Sequence, residues 1–210
     1  MLYLASQSPR RRELLLQLGL DPHRLDVDVP EQRLPGEPPQ DYVNRVARAK
    51  AGAGLLQVMA VVGAVVLGAD TEVVLEDASG CAQVLGKPAD AADAGRMLRA
   101  LSGRSHQVIS AVWLVNAQRE AHAVSVSQVG FDCLDEDAIA GYLASDEWRG
   151  KAGGYAIQGR GAALIAHLSG SYSGVMGLPL FETARLLREL GVMEPGPGTG
   201  ERGLGESQCE

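Results

Sequence analysis

Two periodicities alternate along this chain, apolar residues recurring every second position in some stretches and every three to four in others. Tyr3-Leu4-Ala5 reads as a short first strand, followed by a turn, Ser6-Gln7-Ser8-Pro9, in which Ser8 can cap a helix that has Pro9 at its first position. Leu14, Leu15 and Leu18 form that helix's buried face and Gly19 supplies its stop. A polar, Pro-rich segment from Glu31 to Pro39 reads as a mobile lid before a second helix, about 41–56, which turns Val43, Val46, Ala47 and Ala51 inward with Lys50 near the same face. The β-branched run 61–69, broken at Gly63, predicts a strand that delivers Asp70 and Thr71 at its end and continues through Val73, Val74 and Leu75 to a turn at Asp77-Ala78-Ser79-Gly80.

Gly86-Lys87-Pro88 leads to a helix over 91–101, whose Ala94, Met97, Leu98 and Leu101 share one stripe before Gly103. Residues 107–115 alternate between two sets that are both largely apolar, so this strand is expected to be covered on both faces, and another strand follows at 123–131. Asp135 caps a helix over 135–144. The glycine-rich run 151–159 is a strand or loop open to close backbone approach, 162–167 a strand, 170–174 a turn and 180–190 the last helix. The alternation predicts an α/β fold, a mixed twisted sheet flanked by helices, in one domain over 1–192 built as a single body or as two lobes around a central cleft. From Met193 to Glu210 glycine, proline and charge dominate, which predicts a flexible tail without chemistry of its own.

Composition narrows the partners. Nineteen Lys and Arg against 26 Asp and Glu leave a formal charge of −7, and aromatic residues make up 4% of the chain, so neither a general nucleic-acid surface nor a base-stacking platform is expected. An anionic small molecule stays compatible, because a local cluster of cations decides that. The most apolar stretch, 58–69, is far shorter than the roughly 20 residues of a membrane helix. Three widely spaced cysteines, Cys81, Cys133 and Cys209, suggest neither a disulfide framework nor a zinc site, and no export signal opens the chain; a cytoplasmic location is expected.

There is no phosphate-binding Gly-rich loop with its Lys and Ser or Thr, no dinucleotide fingerprint, and no nucleophile elbow around Ser171 or Ser173. What remains are polar groups at element ends. Arg10 and Arg11 stand in a first helical turn, the wrong end for cations unless a bound anion faces the same amides. With Lys50, Lys87 and Lys151 they either converge as phosphate ligands or are ordinary solvated positions. Asp70 follows nine uncharged residues, where a carboxylate is either functional or held in a salt bridge or turn. Thr71 beside it is equally an ordinary strand former. Glu31 is a candidate to join Asp70 in holding a hard divalent cation, while His106 reads as structural.

The blocks Leu4-Ala5-Ser6-Gln7-Ser8-Pro9-Arg10-Arg11-Arg12-Glu13-Leu14-Leu15, Gly68-Ala69-Asp70-Thr71, Gly86-Lys87-Pro88, Leu101-Ser102-Gly103-Arg104-Ser105-His106, the run from Glu147 to Gly159 and that from Gly170 to Pro179 resemble, in the same order, those of the Maf family. The resemblance spans about 2–190. It implies a cytoplasmic, usually dimeric nucleoside triphosphate pyrophosphatase with a fold similar to that of the inosine triphosphate pyrophosphatases, using Mg²⁺ or Mn²⁺. Water would attack the α-phosphorus and release a monophosphate and pyrophosphate. By the same resemblance Asp70 is the catalytic carboxylate, Arg11, Lys50 and Lys87 are phosphate-binding cations, and Glu31 belongs with Asp70 to the metal site.

Arg10, Thr71 and Gln158 match the trio of the branch acting on dTTP and UTP; the branch preferring 7-methyl-GTP is similar to an arrangement with an aromatic residue at the first of these places and Glu at the last. A Gln side chain, both donor and acceptor, suits a pyrimidine edge. Ser8 and Lys151 complete the candidate substrate contacts. Glu72 departs from the family pattern, which has an apolar residue there, and strand alternation turns it away from Thr71, toward solvent, a partner subunit or a metal. The competing expectations are a noncatalytic nucleotide-binding regulator of cell division and a pyrophosphatase of inosine or other modified-base preference.

Overall fold

The computed structural model describes residues 1–77 and 82–194. Seven strands, β1 (Leu2–Ala5), β2 (His23–Leu25), β3 (Val65–Glu76), β4 (Ala82–Leu85), β5 (Ser105–Val115), β6 (Glu120–Phe131) and β7 (Ile165–Ser169), form one sheet. Its order is β2-β1-β3-β5-β6-β7, with β4 also paired to β3. β1 runs parallel to β2 and β3, and the remaining pairs are antiparallel. Among the described residues six α-helices flank it: α1 (Pro9–Gln17), α2 (Pro39–Gln57), α3 (Ala91–Leu101), α4 (Glu136–Leu143), α5 (Tyr172–Met176) and α6 (Leu180–Glu189). This is the mixed α/β architecture expected.

The period-two pattern splits the core between the two faces of the sheet. Leu2, Leu4, Val65, Leu67, Val73, Leu75, Val108, Val112 and Leu114 pack with the buried stripe of α3 and with α4 and α6. Tyr3, Ala5, Val66, Val74, Ile109, Ala111 and Trp113 lie under Val43, Val46, Ala47 and Ala51 of α2. Gly68 makes that second contact close: a Cβ there would stand 2.3 Å from the Ala47 carbonyl oxygen and 2.5 Å from the Ala51 amide nitrogen. The helix backbone therefore rests on β3, which carries Lys50 directly over the strand.

β3 is the strand on which the site depends. Its first half pairs with β1 as far as Gly68, and pairing with β4 on the same side begins only at Val73. Between them, residues 69–72 have β5 on one side and, among the described residues, no strand on the other. Asp70 thus stands in the middle of a 12-residue strand, not at its end as the apolar run suggested. The strand also starts later than Val61. Val61 donates from its amide to the Val58 carbonyl, Gly63 is left-handed with φ 73°, and Val62 is 99% exposed, so a turn takes the place of the expected first residues.

Other local expectations shift for equally local reasons. Residues 160–164 wind as a 3-10 turn, with the Ala162 amide donating to the Gly159 carbonyl, and strand β7 starts at Ile165. The glycine-rich run is a loop with a short 3-10 turn over Ala152–Gly154. The stretch at 170–174 becomes the start of α5, because the Ser171 hydroxyl accepts from the Gly174 amide and caps a helical turn. The turn at Ala78-Ser79-Gly80, Cys81, and the tail beyond Glu194 with Cys209 lie outside the described residues. No helix among the described residues is long and apolar enough to cross a membrane.

Candidate active site

The gap in β3's pairing opens into a cleft of about 700 Å³. Ser8, Arg10, Arg11, Glu31, Lys50, Asp70, Thr71, Lys87, Lys151 and Gln158, the ten positions singled out from the sequence, all line it. The chain is acidic overall, yet the lining carries six basic side chains, Arg10, Arg11, Lys50, Lys87, Arg149 and Lys151, against three acidic ones, Asp28, Glu31 and Asp70. Such a local excess in a concave site favours an anionic ligand that the net charge would disfavour elsewhere.

Asp70 and Lys50 are both nearly buried, and the Lys50 ammonium donates to Asp70 Oδ1 at 2.8 Å. The same ammonium reaches Glu31 Oε1 at 2.6 Å, so one cation bridges a strand carboxylate and a loop carboxylate. Burial pushes the Glu31 carboxyl up, but the hydrogen bond and charge of Lys50, with the charges of Lys87 and Arg11, outweigh it and hold the group below its ordinary range. Lys87, exposed at the cleft after β4, makes no ion pair among the described residues. Two carboxylates so close offer the hard oxygen donors that Mg²⁺ or Mn²⁺ takes together with waters and phosphate oxygens. A cluster of three or more His, Cys, Asp or Glu that would cage an ion is absent among the described residues.

Alternation turns Thr71 to the opposite face. Its hydroxyl lies 2.8 Å from Ser110 Oγ on the neighbouring strand, and Ser110 Oγ donates to the Gly174 carbonyl at 2.7 Å. With Ser110's proton so committed, Thr71 donates to Ser110 and its oxygen accepts from Arg11 Nη2 at 3.4 Å. Arg11 also donates to Ser6 Oγ at 3.0 Å and to the Gly177 carbonyl at 2.9 Å, while Arg10 Nε reaches the Met176 carbonyl at 3.3 Å. The carbonyls that end α5 thus partly satisfy the two cations at the start of α1. Burial lowers both arginine pKa values; for Arg10 the neighbouring Arg11 adds to it, and for Arg11 the carboxylates of Asp70 and Glu31 oppose it.

Ser8 occupies the N-cap position of α1 without capping it: its hydroxyl takes no amide of the first turn, and its own amide donates to Ser6 Oγ. The uncapped amides of Arg10 and Arg11 therefore stay available at the positive end of a helix dipole. Lys151 donates to the Arg149 carbonyl at 3.1 Å, and burial, then Arg10's charge, lowers its pKa. Gln158 is exposed at the cleft.

Ser6, Ser110, Tyr155 and the Met176 and Gly177 carbonyls were not singled out from the sequence. Ser110 had left a signal, a polar residue within the apolar run 108–115; backbone carbonyls leave none. Tyr155 lines the cleft from the glycine-rich loop, and its hydroxyl lies 2.8 Å from His106 Nε2. Phe131 and Tyr155 pack edge-on against the imidazole, whose Nδ1 has no partner among the described residues. Burial holds His106 down to about 4 from the ordinary 6.5.

That depression has a testable consequence. Below pH 6.5 the unfolded chain takes up a proton that folded His106 refuses until about pH 4. Stability from this residue is full above pH 6.5 and is lost toward pH 4, by about 3 kcal/mol in all. Urea unfolding across that window is expected to show the fall, and His106→Gln to flatten it. Equal pH dependence in the two proteins would contradict a neutral buried imidazole.

A family profile described as Maf-like protein matches residues 1–190. The dTTP/UTP pyrophosphatase of Xanthomonas campestris pv. campestris is 58% identical over 194 residues, covering 91% of this chain and 100% of that protein. A dTTP/UTP pyrophosphatase of Ralstonia nicotianae is 52% identical over 200 residues, with 91% and 94% covered. A nucleoside triphosphate pyrophosphatase of Xylella fastidiosa is 53% identical over 188 residues, with 89% and 97% covered.

Proposed function

The chain belongs to the Maf family, and from that membership we propose that it hydrolyses dTTP and UTP to the nucleoside monophosphate and pyrophosphate. The observation that carries the reading is the convergence of Asp70, its Lys50 bridge to Glu31, and an excess of cations on one cleft.

The triphosphate lies across the start of α1, where the free amides of Arg10 and Arg11, their guanidinium groups, Lys87 and Lys151 neutralise its charge. Charge that builds on the departing pyrophosphate meets cations already fixed by Ser6, Thr71 and the end of α5, so little reorganisation is needed. Asp70 accepts the proton of the attacking water. Lys50 orients that carboxylate. A divalent cation, when bound by Glu31 and Asp70, supplies further charge neutralisation at the phosphates. Gln158 and Thr71 face the nucleoside. Widely spaced cysteines, with Cys133 free and exposed, fit a reducing compartment, and we place the protein in the cytoplasm as a homodimer.

The test is a panel of dTTP, UTP, CTP, ITP and 7-methyl-GTP with Mg²⁺ or Mn²⁺, with monophosphate and pyrophosphate measured separately. Equimolar products from dTTP and UTP are expected. Turnover confined to ITP would move the base preference, and tight binding without pyrophosphate release would identify a sensor. Gln158→Glu should lower kcat/KM for dTTP and UTP about tenfold relative to the purine triphosphates, the order expected when a base-edge hydrogen bond is lost. A proportional loss against every triphosphate would remove Gln158 from base reading.

A further inference from the structure

Glu72 is a carboxylate that the site described above does not use, and its surroundings give it a task. It lies two residues beyond Asp70 on the same face of β3, within the stretch that has β5 on one side and, among the described residues, no strand on the other. A carboxylate nearly buried there costs free energy unless it is paired. Its partner is Arg33, from the Pro-rich segment, whose Nη2 meets Glu72 Oε2 at 2.5 Å with both side chains largely shielded. The same guanidinium donates to the Glu37 carbonyl at 2.8 Å and lies 4.6 Å over the Tyr42 ring.

Among the described residues, the segment's other hydrogen bonds to neighbouring elements run to α2. Arg45 grips the Glu37 carboxylate at 2.6 and 2.8 Å and the Gln32 carbonyl at 3.0 Å, and the Tyr42 hydroxyl donates to the Glu31 carbonyl at 2.9 Å. These contacts fix the segment to the start of α2, and Lys50, farther along the same helix, links Glu31 to Asp70. The Arg33–Glu72 pair adds an anchor on the strand that carries Asp70. Glu31, a half-exposed carboxylate with Lys50 as its ion-pair partner, sits at the end of the segment so anchored.

We propose that Arg33 and Glu72 are positioning residues, an ion pair that straps the segment 31–38 onto β3 and thereby sets the Glu31 carboxylate against Lys50 beside Asp70. For its catalytic consequence the inference rests on the pyrophosphatase reading above. For the strap itself it does not.

Two measurements separate these. Without nucleotide or metal, hydrogen exchange reads the amides of Leu34 and Glu37, which bond to the Glu37 carboxylate and the Leu34 carbonyl within the segment. Both should exchange about tenfold faster in Glu72→Gln, and at least as much faster in Arg33→Met, which leaves β3 untouched but removes the hydrogen bond to the Glu37 carbonyl along with the pair. In the hydrolysis assay, Glu72→Gln should raise the Mg²⁺ concentration needed for half-maximal activity about tenfold, the order seen when a group supporting a metal ligand is lost. Because the effect runs through Glu31, Glu31→Gln/Glu72→Gln should lose no more than Glu31→Gln alone. Unchanged exchange in both single variants, or losses that multiply in the double variant, overturns the proposal. Faster exchange in the variants of a protein that hydrolyses no triphosphate upholds the strap and overturns the pyrophosphatase reading.

Discussion

Asp70→Asn is expected to lower kcat for dTTP about 10³-fold while leaving nucleotide affinity within a few-fold of the parent chain. The substitution keeps the shape of the side chain and its contact with Lys50, and it removes the one property the mechanism requires, an ionised oxygen able to take a proton from water. The cations facing the phosphates are untouched, so binding persists. Isothermal titration in the presence of Ca²⁺ gives the affinity and a pyrophosphate assay gives the rate. Turnover at the parent rate would remove Asp70 from the chemistry, whereas loss of binding and turnover together would make it a structural member of the site.

Lys50→Met should be the most damaging single change to stability within the cleft. Met has a similar unbranched stem, so the side chain still fills its place between α2 and β3 and the ammonium alone is lost. Asp70 is then left nearly buried without its ion pair, and Glu31 loses its ion-pair partner. Breaking a buried pair from one side costs about 3 kcal/mol or more. Half-exposed Glu31 can turn to water, so most of the cost falls on Asp70. Lys50→Met/Asp70→Asn should therefore unfold at higher urea concentration than Lys50→Met, although it carries one more substitution. Simple addition of the two single losses would contradict the pairing. Hydrolysis should be lost in Lys50→Met as well, because the carboxylate is no longer oriented.

Elements with a full period and their own boundary residues were legible from the sequence. Helix α3 begins at the predicted Ala91 and ends at Leu101, with its stripe buried and Asp90 as its cap. Asp135 caps α4 as expected. β2 was not legible, since three residues, His23-Arg24-Leu25, carry no period, and they are in a strand because β1 lies beside them. Val61 and Val62 misled for the opposite reason, having strand-forming side chains in a segment whose backbone bonds close turns.

The members of the site were visible singly, as charges at element ends, and their convergence on one cleft follows from the topology. Their pairings depend on long-range register, which no local pattern encodes. The facing of Thr71 and Ser110 is set by how β3 aligns with β5, and the reach of Lys50 to both Asp70 and Glu31 by how closely Gly68 lets α2 approach. Glu72 stood out as a departure, but its meaning came only with Arg33, 39 residues away in the chain.

The central claim is that water attacks the α-phosphorus of a pyrimidine nucleoside triphosphate in this cleft. Hydrolysis of dTTP in ¹⁸O-labelled water, followed by mass spectrometry of both products, tests it most directly. One labelled oxygen in the monophosphate and none in the pyrophosphate is the predicted result. Label in pyrophosphate, or release of orthophosphate with the nucleoside diphosphate, would place the attack at another phosphorus and contradict the account.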